Sequence, residues 1–570
     1  MIILFLLAQV WSAYLDSSLQ FIGMTQKDIA FRNDYTVKDP FRFAIIDSLL
    51  ISPLASIDFV NSLNDSCWSQ SMGEFLKTLI KLYGFSNTGS LKQMGFTEGL
   101  SFCNRLLDSA FAHIPEGLDS VFEELTIFSP EPTGSIEEEK QAEKEYDSLV
   151  CYLKENGTGI DYNLVFQAGA ILENLIREFQ LRGFSLRHRS VSGIEGGVLY
   201  YNKFDFGEVV IGDSGANIYN RDFAVIIEPG GDDTYKFSAT QGRIHIIIDY
   251  QGDDRYEGRD YTAGGAKFGV SFLVDEAGDD TYIGRNFSLG SGVFGLGILI
   301  DKKGNDHYYG DTFIQGAGGF GIGILKDCEG NDVYEGCLYA QGFASTYGIG
   351  VLADKSGNDI YIIKERYLDE IRYLDHYLSL SQGFSIGFRP ELSAGLGFIF
   401  DQAGNDYYLG DIFAQGSSYW YGLGAIVDGK GNDNYVAYQY AQGAGTHITI
   451  GLLIDKSGND NYVSKGVSQG CGHDLSLGLL YDIAGDDTYC AFDLSQGAGN
   501  ANGVGILMDE LGNDTYAIKR TSNTQGYGNF RREYGSIGVL LDIRGRDFYC
   551  SGENSSLWQK GKYGVGVDWE

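Results

Sequence analysis

"GLGILIDKKGNDHYYGDTFIQGAG", Gly295 to Gly318, decides the fold. A short apolar run with glycine at alternate places ends at Asp301. An acidic turn, Asp301 to Asp306, follows, and a second short run opens at His307-Tyr308. A third ends at Gln315-Gly316. Short β-prone runs between Gly, Asn and Asp turns are strands of a coiled chain. No segment in this stretch has the length and period of a helix.

The same unit returns along the chain. The pattern acid-x-x-Gly-(Asn/Asp)-Asp-x-Tyr recurs at Gly231, Gly252, Gly278, Gly304, Gly330, Gly357, Gly404, Gly431, Gly458, Gly485 and Gly512, and at Gly545 with an Arg at its fifth place. "GDSGANIY" at 212–219 is a degenerate earlier copy. Most spacings are 26 or 27 residues, and one is 47. A fixed period of this size signals a solenoid. Three strands and three turns fill it, whereas a propeller blade needs about 40 residues. The expected fold is therefore mainly β: a parallel β-helix or β-solenoid of about 12–13 coils spanning residues 193–570. A mostly α-helical N-terminal region precedes it at 20–190, where Ser135 to Asn156 and Tyr162 to Arg182 carry helix formers at helical spacing.

Bulk properties narrow the function classes. Of 570 residues, 79 are Gly, 38 are Tyr and only 7 are Pro, and the formal charge is −35. Such an acidic chain repels nucleic acid and anionic lipid, so metal cations or a basic partner are the expected company. The apolar stretch at residues 1–13 resembles the core of a secretory signal and is too short to span a bilayer. No other stretch reads as transmembrane, so a secreted, periplasmic or cell-surface location is expected. The eight cysteines show no metal or redox spacing.

Coils stack about 4.8 Å apart, so each repeated position becomes a ladder. The tyrosines from Tyr235 to Tyr549 are expected inside, ring on ring. The glutamines Gln241, Gln315, Gln341, Gln382, Gln415, Gln442, Gln469, Gln496 and Gln525 are expected to pass amide hydrogen bonds along the rod. The Gly-x-Gly-x-Leu-x-Asp strand is polar on neither face. Its wall either packs on the helical region, a second chain or a surface, or its glycines make room for tyrosine.

The acidic turn supplies two more ladders. One holds Glu228, Asp249, Asp275, Asp301, Asp327, Asp354, Asp401, Asp428, Asp455, Asp482, Asp509 and Asp542. The other holds Asp233, Asp254, Asp280, Asp306, Asp332, Asp359, Asp406, Asp433, Asp460, Asp487, Asp514 and Asp547. Read as exposed turns, neighbouring charges about 5 Å apart cost roughly 3 kcal/mol per contact before screening. Calcium offsets this, since it takes six to eight hard oxygens. "AGNDYY" (Ala403 to Tyr408), "AGDDTY" (Ala484 to Tyr489) and "LGNDTY" (Leu511 to Tyr516) resemble the nonapeptide of RTX (hemolysin-type) calcium-binding β-rolls, Gly-Gly-x-Gly-x-Asp-x-large apolar-x. That resemblance implies Ca2+ ligation by Asp306 and its equivalents between turns. It covers the turn only: RTX repeats return every nine residues, and an acid here replaces the first glycine. The alternative is a stack of Asx-type turns with loosely held cations.

Interruptions mark further candidates. The long spacing places an insert at 362–381, where Leu368, Ile371, Leu374 and Leu378 have the spacing of an amphipathic helix. Residues 551–570 are expected to cap the rod, through Trp569. The seven histidines are scattered, and no HExxH, GxSxG or phosphate loop occurs. An enzyme is therefore not expected. The non-repeating Arg389, Glu391 and Tyr419-Trp420-Tyr421 suit a sugar groove. The leading expectation is an exported, calcium-stabilised solenoid with a structural, adhesive or cell-surface role. A carbohydrate-binding or polysaccharide-degrading β-helix and a self-assembly module are the alternatives, with a glycan or a second chain as partner.

Overall fold

A computed structural model describes residues 2–31, 39–85, 94–126, 136–181, 184–238, 242–531, 535–550 and 556–569. Gln241 and Ser135 lie outside the described residues. From Val198 onward the chain winds into a parallel β-solenoid of about 12 turns. Successive coils pair without slippage: Leu296 lies beside Ile322, Gly297 beside Gly323 and Tyr308 beside Tyr334. The long wall is a 16-stranded sheet and the tyrosine wall a 14-stranded one. Shorter sheets of two to five strands complete the coil.

Eight α-helices, among the described residues, form the N-terminal region: α1 (Ile2–Phe21), α2 (Ala44–Ile51), α3 (Ala55–Ser69), α4 (Met72–Leu82), α5 (Phe96–Ala110), α6 (Leu118–Thr126), α7 (Ile136–Asn156) and α8 (Tyr162–Arg177). They lie on the long wall. Alternation along each strand sends Leu296 and Ile298 outward into one apolar cluster with the helices, and Leu299 inward toward the tyrosines. Leu296 fits the hollow at Gly169 of α8, where a Cβ would sit 2.2 Å from its Cδ2. The Tyr83 hydroxyl donates to the Gly321 carbonyl at 2.9 Å. So the apolar wall is covered by this chain's own helices. The inward Gly297 makes room for backbone rather than for tyrosine, since a Cβ there would lie 2.0 Å from the Ser291 carbonyl oxygen.

Both ends of the long wall finish in antiparallel strands, Val198–Phe204 and Leu557–Gln559, which close its edges to further parallel stacking. Trp558, not Trp569, ends the tyrosine stack, meeting Tyr549 edge-on at 5.7 Å. Trp569 instead packs on Tyr14 of α1, and Trp11 on Tyr481. Helix α1 runs unbroken past residue 13, and its Leu15 and Leu19 are buried.

The insert is not a helix. Leu368 and Tyr377 pair as an antiparallel bridge, and the Asp369 amide donates to the His376 carbonyl at 2.9 Å. Asp411 anchors the return, accepting from the Tyr377 amide at 2.5 Å and contacting His376 Nδ1 at 2.9 Å. The chain must leave and re-enter one coil. A 15-residue helix would carry its end about 22 Å away with nothing left to return. Leu378 is buried, but Leu374 is 92% exposed, so the four apolar residues share no face.

Coil length is adjusted at one corner. Early coils turn it with one left-handed residue, such as Phe294 (φ 50°) or Phe320 (φ 47°). Coils after Gly404 use two in succession: Trp420-Tyr421, His447-Ile448, Asp474-Leu475 and Ala501-Asn502. The repeat there is 27 residues, as it already is from Gly330 to Gly357, where Tyr347 alone is left-handed at the corner. Left-handed non-glycine residues are costly and persist where surrounding structure over-determines them, as stacking does here.

Candidate functional site: two buried carboxylate columns

The tyrosine column is inside, as expected. Tyr308 and its equivalents from Tyr219 to Tyr516 are fully buried. Neighbouring rings stack 4.5–5.2 Å apart, as at Tyr361–Tyr408 and Tyr219–Tyr235. The acidic columns are also inside, which the turn sequence concealed. Asp301 is 0% and Asp306 1% exposed, and their equivalents from Asp249 to Asp514 are similarly buried. The turn's outer edge is the Asn/Asp position between them, where exposed Asn305, Asn331, Asn358 and Asn405 link side chain to side chain at 2.7–3.0 Å.

Each column has its own hydrogen bonds. In the first, Asp301 Oδ1 accepts from the Lys303 amide at 3.0 Å, an Asx turn. Its Oδ2 accepts from the Tyr282 hydroxyl of the preceding coil at 2.5 Å. The pattern recurs at Tyr256–Asp275, Tyr334–Asp354 and Tyr489–Asp509 at 2.6–2.7 Å. In the second column, Asp306 Oδ1 accepts from the Asp280 amide at 2.6 Å, and the same bond joins Asp332 to Asp306 and Asp460 to Asp433. Side chains thereby tie every coil to the next through both carboxylates.

At least one carboxylate oxygen per coil finds no amide or hydroxyl donor. The Oδ2 atoms of Asp254, Asp280, Asp306, Asp332, Asp359, Asp406, Asp433, Asp460, Asp487 and Asp514 are buried in this way, and their neighbours are carboxyls of the first column, Asp301 beside Asp306 and Asp354 beside Asp359. Around them, three carboxylates come within 4.8 Å of one another: Asp254–Asp275–Asp280, Asp280–Asp301–Asp306, Asp306–Asp327–Asp332, Asp332–Asp354–Asp359, and six groups more besides Asp233–Asp249–Asp254. A buried carboxylate needs a partner, and an unmatched one is costly. Burial first, and neighbouring carboxylates second, push Asp249, Asp280, Asp306, Asp401, Asp428, Asp433 and Asp482 far above the carboxylate range.

The backbone leaves no slack at these turns. A Cβ on Gly304 would lie 1.6 Å from the Gly278 carbonyl oxygen, so only glycine allows the coils to meet there. The glutamine column differs from expectation. Gln315 Nε2 donates to backbone carbonyls, Tyr308 at 3.0 Å and Glu335 at 3.1 Å, and its buried Oε1 accepts nothing. The carbonyls freed at the end of each short strand outcompete a neighbouring amide for those donors.

The sugar-groove candidates divide: Arg389, Tyr419 and Trp420 meet, whereas Glu391 is drawn to the helical region. Glu391 pairs with Lys154 of α7 at 2.6 Å. Arg389 donates to the Tyr419 hydroxyl at 3.1 Å and lies over Trp420. Trp420 and Tyr421 are buried, and Arg42 stacks on Tyr421 at 3.7 Å. Glu391, through Lys154, and Tyr421, through Arg42, tie the N-terminal region to the solenoid. A polar face runs through His447, His473 and Asn500, and its signal in the sequence is the polar residue three or four places after the glycine of the Gln-Gly pair, as in Thr446-His447 and His473.

Among the described residues no helix is long and apolar enough to cross a membrane. In comparison with known proteins, no family model, no curated protein and no solved structure matches the chain.

Proposed function

We propose that this chain is an exported β-solenoid stiffened by calcium, with a structural or adhesive role at a cell surface. One observation carries the reading: a buried Asp Oδ2 that no amide or hydroxyl reaches recurs coil after coil beside two other carboxylates. The donor set suits calcium. It is all hard oxygen, with no sulfur or imidazole to favour zinc or copper. Charge also balances. Each coil brings two carboxylates, and one divalent ion per coil neutralises them. Asp280, Asp301 and Asp306 would hold one such ion, and the pattern repeats up and down the rod. Bound calcium would supply charge neutralisation and a coil-to-coil bridge. The chain's own part is to exclude water and orient the carboxylates through tyrosine hydroxyls and amide donors.

Export rests on this cation demand, since calcium is abundant outside cells. The eight cysteines are unpaired, and α1 packs on the rod, so neither argues for it independently. Melting with calcium and with EGTA tests the reading. Each site bound at a hundred times its Kd adds about 2.7 kcal/mol, so chelation is expected to lower Tm by at least about 10 °C. An unchanged Tm, with no calcium found by elemental analysis, overturns it.

A further inference from the structure

The extra corner residue in the later coils builds a second surface, distant in chemistry from the carboxylate columns. On the short sheet ending each coil there, Thr446, His473 and Asn500 stand in one register. The corresponding places in early coils are Lys267, Val293 and Gly319, and Gly319 lies against Phe122 of α6. Where the helices cover the wall it is small or apolar, apart from Lys267, which pairs with Asp119 and Glu123 of α6. Toward its C-terminal end it turns polar, beside the corner residues His447 and Asp474.

These polar groups form two short ladders along the rod. His447 Nδ1 pairs with Asp474 Oδ2 at 2.5 Å. His473 Nδ1 meets Asn500 Nδ2 at 2.8 Å, and Asn529 donates to Asn500 Oδ1. Ser536 then donates to Asn529 Oδ1 at 2.7 Å. Aromatic rings flank the ladders, with Tyr419 edge-on to His447 at 4.8 Å and Tyr440 beside His473 at 6.3 Å. At the C-terminal end lies a cavity of about 380 Å³, lined by Leu494, Asn500, Asn523, Tyr527, Asn529, Phe530 and one cation, Arg531.

We propose that this face binds an uncharged glycan chain lying along the solenoid axis. Three features select that ligand. The half-exposed His447, His473 and Asn529 present polar edges at intervals along the rod, with Thr446 and Asn500 buried among them, matching a polymer whose hydroxyls recur. The half-exposed rings of Tyr419 and Tyr527 beside them offer apolar surface to the C–H side of a sugar ring. The chain's charge of −35 opposes an acidic polymer. Per-coil insertions confined to one face are also how repeat proteins form a binding surface.

The test uses the full-length, calcium-loaded protein and isothermal titration with neutral hexamers of β-1,4-linked glucose, mannose and N-acetylglucosamine, plus a hexamer of galacturonic acid. At least one neutral hexamer is expected to bind, with at least tenfold weaker affinity in Asn500→Ala and in Tyr527→Ala. The partly exposed Tyr527 leaves the ladders intact, so its variant reports binding even where Asn500→Ala unfolds, which a melt detects. Leu374→Ser, on the far tip of the insert, is expected to bind as the parent does. Absence of heat with all neutral hexamers, binding by the acidic hexamer alone, or undiminished affinity in Tyr527→Ala overturns the proposal.

Discussion

The two faces of the long wall belong to the same strands and are stabilised by different physics. Leu296 and Ile298 face outward into an apolar interface with the helices. Leu299 and Asp301, one residue out of phase, face a dry interior of tyrosines and carboxylates. The outer face is held by area removed from water, which needs no ion and varies little with pH. The inner face contains two carboxylates per coil, and its stability depends on what neutralises them. One fold thus joins a generic hydrophobic interface to a chemically conditional core, and solution conditions can separate them.

The largest expected effect comes from pH in the absence of metal. Asp275, Asp301 and Asp332 are pushed up to about 6, 7 and 8 from 3.8, through burial first. Folded values above unfolded ones mean that protonation favours the folded state. That stability is full below about pH 4 and is lost as pH rises through the folded values. With EGTA present, Tm is expected to fall between pH 5 and 8. With saturating calcium the slope reverses, because metal binds the deprotonated carboxylates. Parallel slopes in the two series, by circular dichroism, would erase the distinction between the faces.

Next in size is Leu296→Ala, which empties the hollow at Gly169 and is expected to cost about 2–5 kcal/mol. Hydrogen exchange should quicken in α8 while the tyrosine wall stays protected. Uniform loosening would mean that the faces are not separable. Tyr308→Phe removes the 2.6 Å bond to Asp327 and keeps the ring stack. It is expected to cost about 1–3 kcal/mol with EGTA, by leaving a buried acceptor unmatched. Calcium should shrink that cost, and a calcium-independent cost counts against ligation at Asp327. The smallest effect is Asn358→Ala on the exposed edge, expected to stay within about 0.5 kcal/mol in a denaturant melt.

Local order was plain in the sequence because stacking converts it into ladders. The period of the Gly-(Asn/Asp)-Asp-x-Tyr turn determined the solenoid, its coil number and the inward tyrosines, and alternation along Leu296 to Asp301 determined a wall apolar on both faces. Tertiary structure decided what the turn and wall meet. Asp301 and Asp306 look like exposed turn acids, yet the next coil folds over them, and only a three-dimensional stack brings Asp280 within reach of both. Lys364 to Leu378 has a helical period, but the need to re-enter the same coil overrides it. Trp420 and Tyr421 look like a surface platform, yet both are buried and Arg42 of the N-terminal region stacks on Tyr421, and no local pattern records that docking. Periodicity within one chain segment is written in neighbouring residues, whereas burial is set by segments hundreds of residues away, and that is where the sequence alone stops.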